Sequence, residues 1–339
     1  MDEVKRAALE RWLAGAAGAE RVTVRDVVML SGGAIQQNWR IDLEIAGGPQ
    51  AGAHSLVLRT DSPSSLSVSH GRTQEYALFR AAHAAGVTVP EPLWVCPDNS
   101  VLGKPFFLMR RIEGVTQGFR VVKDQSLGGG PERLAESLGR ELARIHTIRP
   151  PREDLAFLAG PGDSKPAEHL VAVLRAKLDA SMLPRPALEW GLRWLERNAP
   201  ARGDIVLSHN DFRTGNYMVT AEGVTGILDW EFAAWGDPHE DIGWFCARCW
   251  RFGATGREAG GIGPREAFYR GYEAESGREI DRARVPYWEV MATMRWAVIA
   301  IAQAERHISG AEHNIELALT GHIVPELELD ILQSIERIG

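Results

Sequence analysis

Residues 205–219 read IVLSHNDFRTGNYMV, and residues 224–245 read VTGILDWEFAAWGDPHEDIGWF. The β-rich run 205–207 leads into a loop that carries His209, Asn210 and Asp211. Asn216 lies five residues beyond Asp211, and the apolar run 217–219 follows it as a short strand. A second strand, 224–228, delivers Asp229. The stretch 221–223 between them has turn composition, so the two strands are expected to form a hairpin that holds Asn216 and Asp229 near each other.

Outward from this block, the chain changes character at Glu113-Gly114. Before it, β-rich runs at 22–30, 36–45 and 54–59 are separated by glycine clusters at 31–33 and 46–52. A helical stretch over 71–85 and two short strands near 93–96 and 105–110 follow. Three strands, one helix and two strands predict an antiparallel sheet with one helix against it. After the change, Leu134, Leu138, Leu142 and Ile145 recur at helical spacing within a predicted helix over 131–148. Further helices are predicted over 166–180 and 186–198 and from about 238 to 335, including a long one over 281–306. The fold class is therefore α+β: residues 1–112 form a small sheet domain, and 113–339 a larger, mostly helical one.

Composition narrows the function. With 339 residues, 45% of them hydrophobic, the chain can bury two cores. No run approaches the ~18 apolar residues of a membrane span. The N-terminal MDEVKRAALERW lacks the apolar stretch of a secretory signal, and three cysteines make no disulfide framework. A cytoplasmic chain without a membrane partner is the expectation. The formal charge of −7 argues against a nucleic-acid partner. Residues 1–115 carry 12 charges of each sign, so the whole excess lies beyond them, where a negative field favours a cationic substrate.

The deciding block has the residue types that phosphoryl transfer needs. That reaction asks mainly for positioning and charge neutralisation. Mg²⁺ takes oxygen ligands and keeps several waters, so one carboxylate and one amide oxygen suffice beside ATP, and Asp229 and Asn216 offer them. Asp211 suits the remaining task, orienting an acceptor hydroxyl and accepting its proton.

His209, Asp211 and Asn216, followed by Leu228-Asp229-Trp230-Glu231 and Gly236-Asp237-Pro238, resemble the signature of the aminoglycoside phosphotransferase and choline kinase-like superfamily. Within it, the likeness is greatest to the branch with kinase-like domains fused to acyl-CoA dehydrogenases. The resemblance implies a bilobal protein-kinase-like fold, ATP and Mg²⁺ as cofactors, and a small-molecule hydroxyl as acceptor. It gives Asp211 the catalytic role and Asn216 and Asp229 the metal. It makes Asp241 a buttress of the catalytic loop and His209 a structural residue. Ser31, Gly32, Gly33 and Ala34 match the family's phosphate-covering loop. Arg59 stands where kinases place a phosphate-binding lysine, with Glu75 on the following helix as its partner. Backbone groups of Arg110 and Ile112, in the segment matching the hinge, would bond adenine.

Several readings stay open. The acceptor is either an aminoglycoside-like polycation or a hydroxyacyl or other small alcohol, and a catalytically inactive nucleotide-binding pseudokinase is the alternative to both. Glu231 is a second metal ligand or a supporting group. Cys246 and Cys249 form a C-x-x-C that reads as buried packing rather than redox chemistry, and Trp230 and Trp235 read as core. Asn210, between His209 and Asp211, suits an unusual backbone conformation.

Overall fold

The computed structural model describes residues 1–30, 36–61, 69–181 and 183–339. The chain divides into two compact units. One comprises Met1–Gly114, Pro151–Phe157 and Thr225–Ala233, and the other Val115–Pro150, Leu158–Val224 and Ala234–Gly339. The expected loop 31–34 lies outside the described residues.

The first unit opens with α1 (Glu3–Ala16), capped by the Asp2 carboxylate, which accepts the Lys5 N–H at 2.8 Å. Strands β1 (Arg21–Met29), β2 (Gln36–Ala46) and β3 (Gly52–Asp61) follow, then α2 (Arg72–Ala84), β4 (Pro92–Cys96), the one-turn α3 (Asn99–Leu102) and β5 (Phe106–Arg110). The five strands form one antiparallel sheet in the order β1-β2-β3-β5-β4. The order of strands and helix agrees with the sequence reading, and α3 is an addition to it.

Side chains along a strand alternate between faces. Ile41, Leu43, Leu56, Leu58, Phe106 and Leu108 face one way and close a core with Leu9 and Leu13 of α1. The alternate residues of β5 face α2, whose Phe79 ring lies 5.7 Å from that of Phe107. Arg59 pairs with Phe107 in the β3–β5 register, so it shares that face. The sheet's own period thus turns the one charged residue of LVLR toward a helix.

In the second unit come α4 (Gly118–Lys123), α5 (Pro131–Ile145), α6 (Pro166–Asp179), α7 (Pro186–Arg197), β6 (Val206–Ser208) and β7 (Tyr217–Val219). The strand β8 (Val224–Ile227) leads back into the first unit. The second unit resumes with β9 (Ala234–Gly236), α8 (Pro238–Cys246), α9 (Arg265–Ser276), α10 (Val285–Ile308), α11 (Ile315–Gly321) and α12 (Val324–Ile338). The long helix α10 starts later than the sequence suggested, because Pro286 fits only its first turn. Helices α6, α7, α10 and α12 enclose a core that includes Leu174, Leu188, Leu192, Trp288, Met294 and Ile331. The antiparallel pair β6–β9 was not apparent from the sequence; it sets Leu207 opposite Trp235. Among the described residues, no helix is long and apolar enough to cross a membrane.

Candidate active site

In the first unit, the charged residues meet around Arg59. Its Nε donates to both oxygens of Glu75 at 3.0 Å, its NH1 to the Asn38 side-chain oxygen at 3.3 Å, and its NH2 to Oδ1 of Asp229 at 2.8 Å. Glu75 is fully buried in the first turn of α2 and also takes Arg72, which in turn pairs with Asp61 at 2.9 Å. Burial would lower the Arg59 pKa, but the charges of Glu75 and Asp229 outweigh it and hold the guanidinium more firmly protonated than usual. Arg59, Glu75 and Asp229 are therefore brought together as one ion cluster. Asp229 itself sits at φ +59, a left-handed conformation that Asp tolerates better than most residues.

Glu231 is buried two residues on, and its Oε2 accepts the Gln36 amide at 2.6 Å. Burial, with the Asp229 charge next, pushes its carboxyl pKa up to about 7. Trp230 is fully buried and edge-on to Phe79, which makes it core. At the other end of the sheet, the Arg110 amide donates to the Glu91 carbonyl at 2.9 Å, so it is already spent on β4's approach. The Arg110 side chain pairs with Glu91 at 2.6 Å. Ile112 lies two residues beyond β5, and its N–H has no hydrogen-bond partner among the described residues.

The second unit holds the loop after β6. Gly236-Asp237-Pro238 makes the start of α8: Asp237 caps it, Pro238 opens it, and Glu240 reaches back to the Asp237 N–H at 2.9 Å. This start aims Asp241 inward, where its carboxylate accepts the N–H groups of His209 at 2.7 Å and Asn210 at 2.8 Å. His146, which caps the C-terminus of α5, joins the same carboxylate at 3.2 Å and reaches the Tyr272 hydroxyl at 2.9 Å. Burial works to raise the Asp241 pKa, but the hydrogen bond and charge of His146, with His209, hold it below the usual range. Two loop amides are thus tied to one buried carboxylate. His209 is wholly buried, and its Nδ1 lies 3.3 Å from the Asp211 N–H, a structural placement. Asn210 does adopt the unusual backbone, φ +62.

Asp211 projects from this braced loop. Its Oδ2 accepts the Asn216 amide nitrogen at 2.5 Å, and its main-chain carbonyl accepts the same nitrogen at 2.9 Å. With nitrogen turned to Asp211, the Asn216 amide oxygen has no hydrogen-bond partner among the described residues. Oδ1 accepts Nε of Arg213 and Nε1 of Trp244, each at 3.0 Å. The expected turn after β7 is present, with the Thr220 N–H on the Gly223 carbonyl at 2.9 Å.

The sequence reading omitted Asn38, Arg72, Arg213, Trp244, His146 and Arg295. Arg72 lies three residues before Glu75, and Arg213 two after Asp211, so local spacing could have flagged both. The others come from distant elements and leave no local signal. Cys246 and Cys249 are free thiols; Cys246 is fully buried, which pushes its pKa up to about 12 and leaves it thiol at neutral pH.

Asp229 in the first unit offers a carboxylate and Asn216 in the second an amide oxygen, each a donor type that an oxygen-ligated Mg²⁺ accepts. Among the described residues, no cluster of three or more His, Cys, Asp or Glu forms an all-protein metal cage.

Residues 26–286 match the profile of the phosphotransferase enzyme family. Acyl-CoA dehydrogenase family member 10 of Mus musculus is 30% identical over 248 residues, covering 70% of this chain and 22% of that protein. Acyl-CoA dehydrogenase family member 11 of Gallus gallus is 33% identical over 207 residues, covering 57% and 25%. The chain thus spans about a quarter of the length of these curated relatives. A Ralstonia eutropha protein provisionally named an aminoglycoside phosphotransferase superposes with a TM-score of 0.75 at 22% identity, over 98% of each chain. A spectinomycin phosphotransferase solved with ADP and spectinomycin gives 0.59 at 13% identity, over 98% of this chain and 99% of that one. A choline/ethanolamine kinase family protein from Mesorhizobium loti gives 0.57 at 17%, over 93% and 92%. At these identities the structural likeness is one of fold.

Proposed function

Because the chain belongs to the phosphotransferase enzyme family, we propose that it moves the γ-phosphoryl group of ATP to a hydroxyl of a small molecule, with Asp211 as the catalytic base. The observation that carries this reading is the held carboxylate of Asp211, gripped through Oδ2 by an Asn216 whose amide oxygen remains open. Such a pairing suits a base that orients a hydroxyl while its neighbour serves a metal. Mg²⁺, when bound, supplies charge neutralisation between the phosphates, and Asn216 and Asp229 would hold it. Arg59, fixed by Glu75, neutralises phosphate. The Ile112 amide takes adenine, a task Arg110 shares less readily with its N–H spent on Glu91. Ser31, Gly32, Gly33 and Ala34 cover the phosphates.

A hydroxyacyl compound or another small alcohol is the favoured acceptor over a polycationic aminoglycoside. The groups that touch Asp211 are an arginine, an indole and an amide. An additional carboxylate there would favour amines, whereas Arg213 repels them. The relatives named as acyl-CoA dehydrogenases point the same way.

The test is γ-phosphate transfer from labelled ATP, with and without Mg²⁺, to hydroxyacyl compounds, simple alcohols and aminoglycosides. Mg²⁺-dependent transfer to a hydroxyacyl or simple alcohol is expected. Transfer to aminoglycosides alone would overturn the acceptor assignment. No transfer to anything, with ATP affinity unaltered by Asp229→Ala, would instead mark a pseudokinase.

A further inference from the structure

Asp211 has more donors than its loop requires. Asn216 accounts for Oδ2, but Oδ1 takes both Arg213 and Trp244. The two differ in kind. Arg213 sits on the same loop with about a quarter of its side chain exposed (26%) and its guanidinium 4.6 Å over the Trp250 ring. Trp244 is 3% exposed on α8, with the Trp250 ring 5.1 Å away and the Arg295 guanidinium 4.7 Å over its face. Arg295, from α10, also donates to Oδ1 of Asn210 at 3.2 Å, the residue held at φ +62 just before the base. One cation therefore reaches both the side chain of the residue before Asp211 and the indole that grips Asp211. An indole N–H can only donate, so it dictates which lone pairs of the carboxylate stay open.

We propose that Trp244, locked by Arg295, is a positioning residue that sets the direction in which Asp211 presents its open lone pair to the acceptor hydroxyl. This rests on the reading of Asp211 as base. In the step it serves, the acceptor O–H gives its proton to Asp211 and its oxygen bonds the γ-phosphorus. The bond from that phosphorus to the β,γ-bridging oxygen breaks, leaving ADP. When the carboxylate turns away, water competes for the same phosphoryl group and gives ADP and inorganic phosphate.

Trp244→Phe keeps an aromatic ring for stacking and removes the N–H together with the pyrrole half of the indole, so its melting temperature is measured alongside. Transfer kcat is expected to fall roughly 10- to 100-fold, the weight of one hydrogen bond to a charged group. KM for ATP and acceptor should hold, while the ratio of phosphate released to phosphate transferred rises. Arg295→Met should raise that ratio too, and Arg295→Lys, which still stacks a cation on the indole, should recover part of the loss. A merely structural role would lower melting temperature and both activities together at a constant ratio, and that result overturns the proposal. So does a crystal structure of Trp244→Phe with the Asp211 carboxylate unmoved, a readout that needs no acceptor; a rotated or split carboxylate is expected. Asp211→Asn, run in parallel, separates the failures. Full activity in that variant removes the base itself, whereas an inactive Asp211→Asn beside an unaltered Trp244→Phe removes only the positioning role.

Discussion

Arg59 shows why one residue type is suited to its place. Its planar fork reaches Glu75, Asn38 and Asp229 at once, which an ammonium on a flexible stem cannot reproduce. Arg59→Met leaves Glu75 buried with only Arg72, so urea unfolding should show a loss of about 3 kcal/mol, the low end for breaking a buried pair. Arg59→Lys should lose less. Glu240 offers a pH test in the second unit. Burial, opposed by the Asp237 N–H and reinforced by the charges of Asp237 and Asp241, pushes its pKa from 4.5 up to about 8. Between those values the folded chain holds a proton that the unfolded chain has released, so this group makes stability fall as pH rises through that window. Glu240→Gln keeps the cap and should flatten the decline between pH 4.5 and 8, measured by denaturant unfolding; an unchanged slope would contradict the assignment. The candidate residues Asp211, Asn216 and Asp229 could be singled out in the sequence, because they sit at fixed intervals on one loop and its following strands. Arg59 and Glu75 were singled out through the family resemblance, and their pairing is present in the first unit. Trp244 and Arg295 were not legible, since only the packing of α8 against α10 brings an indole and a guanidinium to a loop far back in the chain. The spent amide of Arg110 was also hidden, because it depends on how the residue before β4 meets β5.

Elements with strong periodicity were read correctly, and those made by tertiary contact were missed. The sheet strands, α2, α5 and α10 announce themselves through alternation or helical spacing. The three-residue β9 carries no such signal, since it exists only through its hydrogen bonds to β6. Helix α8 lies between these cases: Asp237, Pro238 and Glu240 spell a capped start, and that start is what turns Asp241 to the loop. The contact of α5 with α9 depends on two glycines. A Cβ on Gly271 would lie 1.9 Å from the Glu136 carbonyl oxygen, and one on Gly139 would lie 2.1 Å from that of Phe268. Backbone cannot yield as a side-chain end can. Gly271→Ala should therefore destabilise the protein by about 3 kcal/mol, the upper end for overpacking, in a denaturant titration. A cost near zero would mean that the helices are not this close. His146, which reaches Asp241 from the C-terminal cap of α5, should feel the same separation as a loss of activity.

For the whole molecule, the chain passes twice from the second unit back to the first, at 151–157 and at 225–233. The second return matters most, because it carries Asp229 and Glu231 to the ion cluster of Arg59. The α+β fold expected from the order of elements is present, with an antiparallel sheet in the N-terminal region and helices beyond it, and solved phosphotransferases share it. The whole-chain charge was less informative. Its excess in the second part suggested a cationic substrate, yet the side chains that touch Asp211 include an arginine and no second carboxylate, and Glu189, Glu273 and Glu275 of that part pair with arginines. The central claim is that Asp211 accepts the proton of the acceptor hydroxyl. Single-turnover transfer of γ-phosphate from MgATP, compared between the native chain and Asp211→Asn, tests it most directly. The account expects a fall of roughly 10²- to 10⁴-fold in the transfer rate with ATP affinity retained; transfer at the native rate would contradict it.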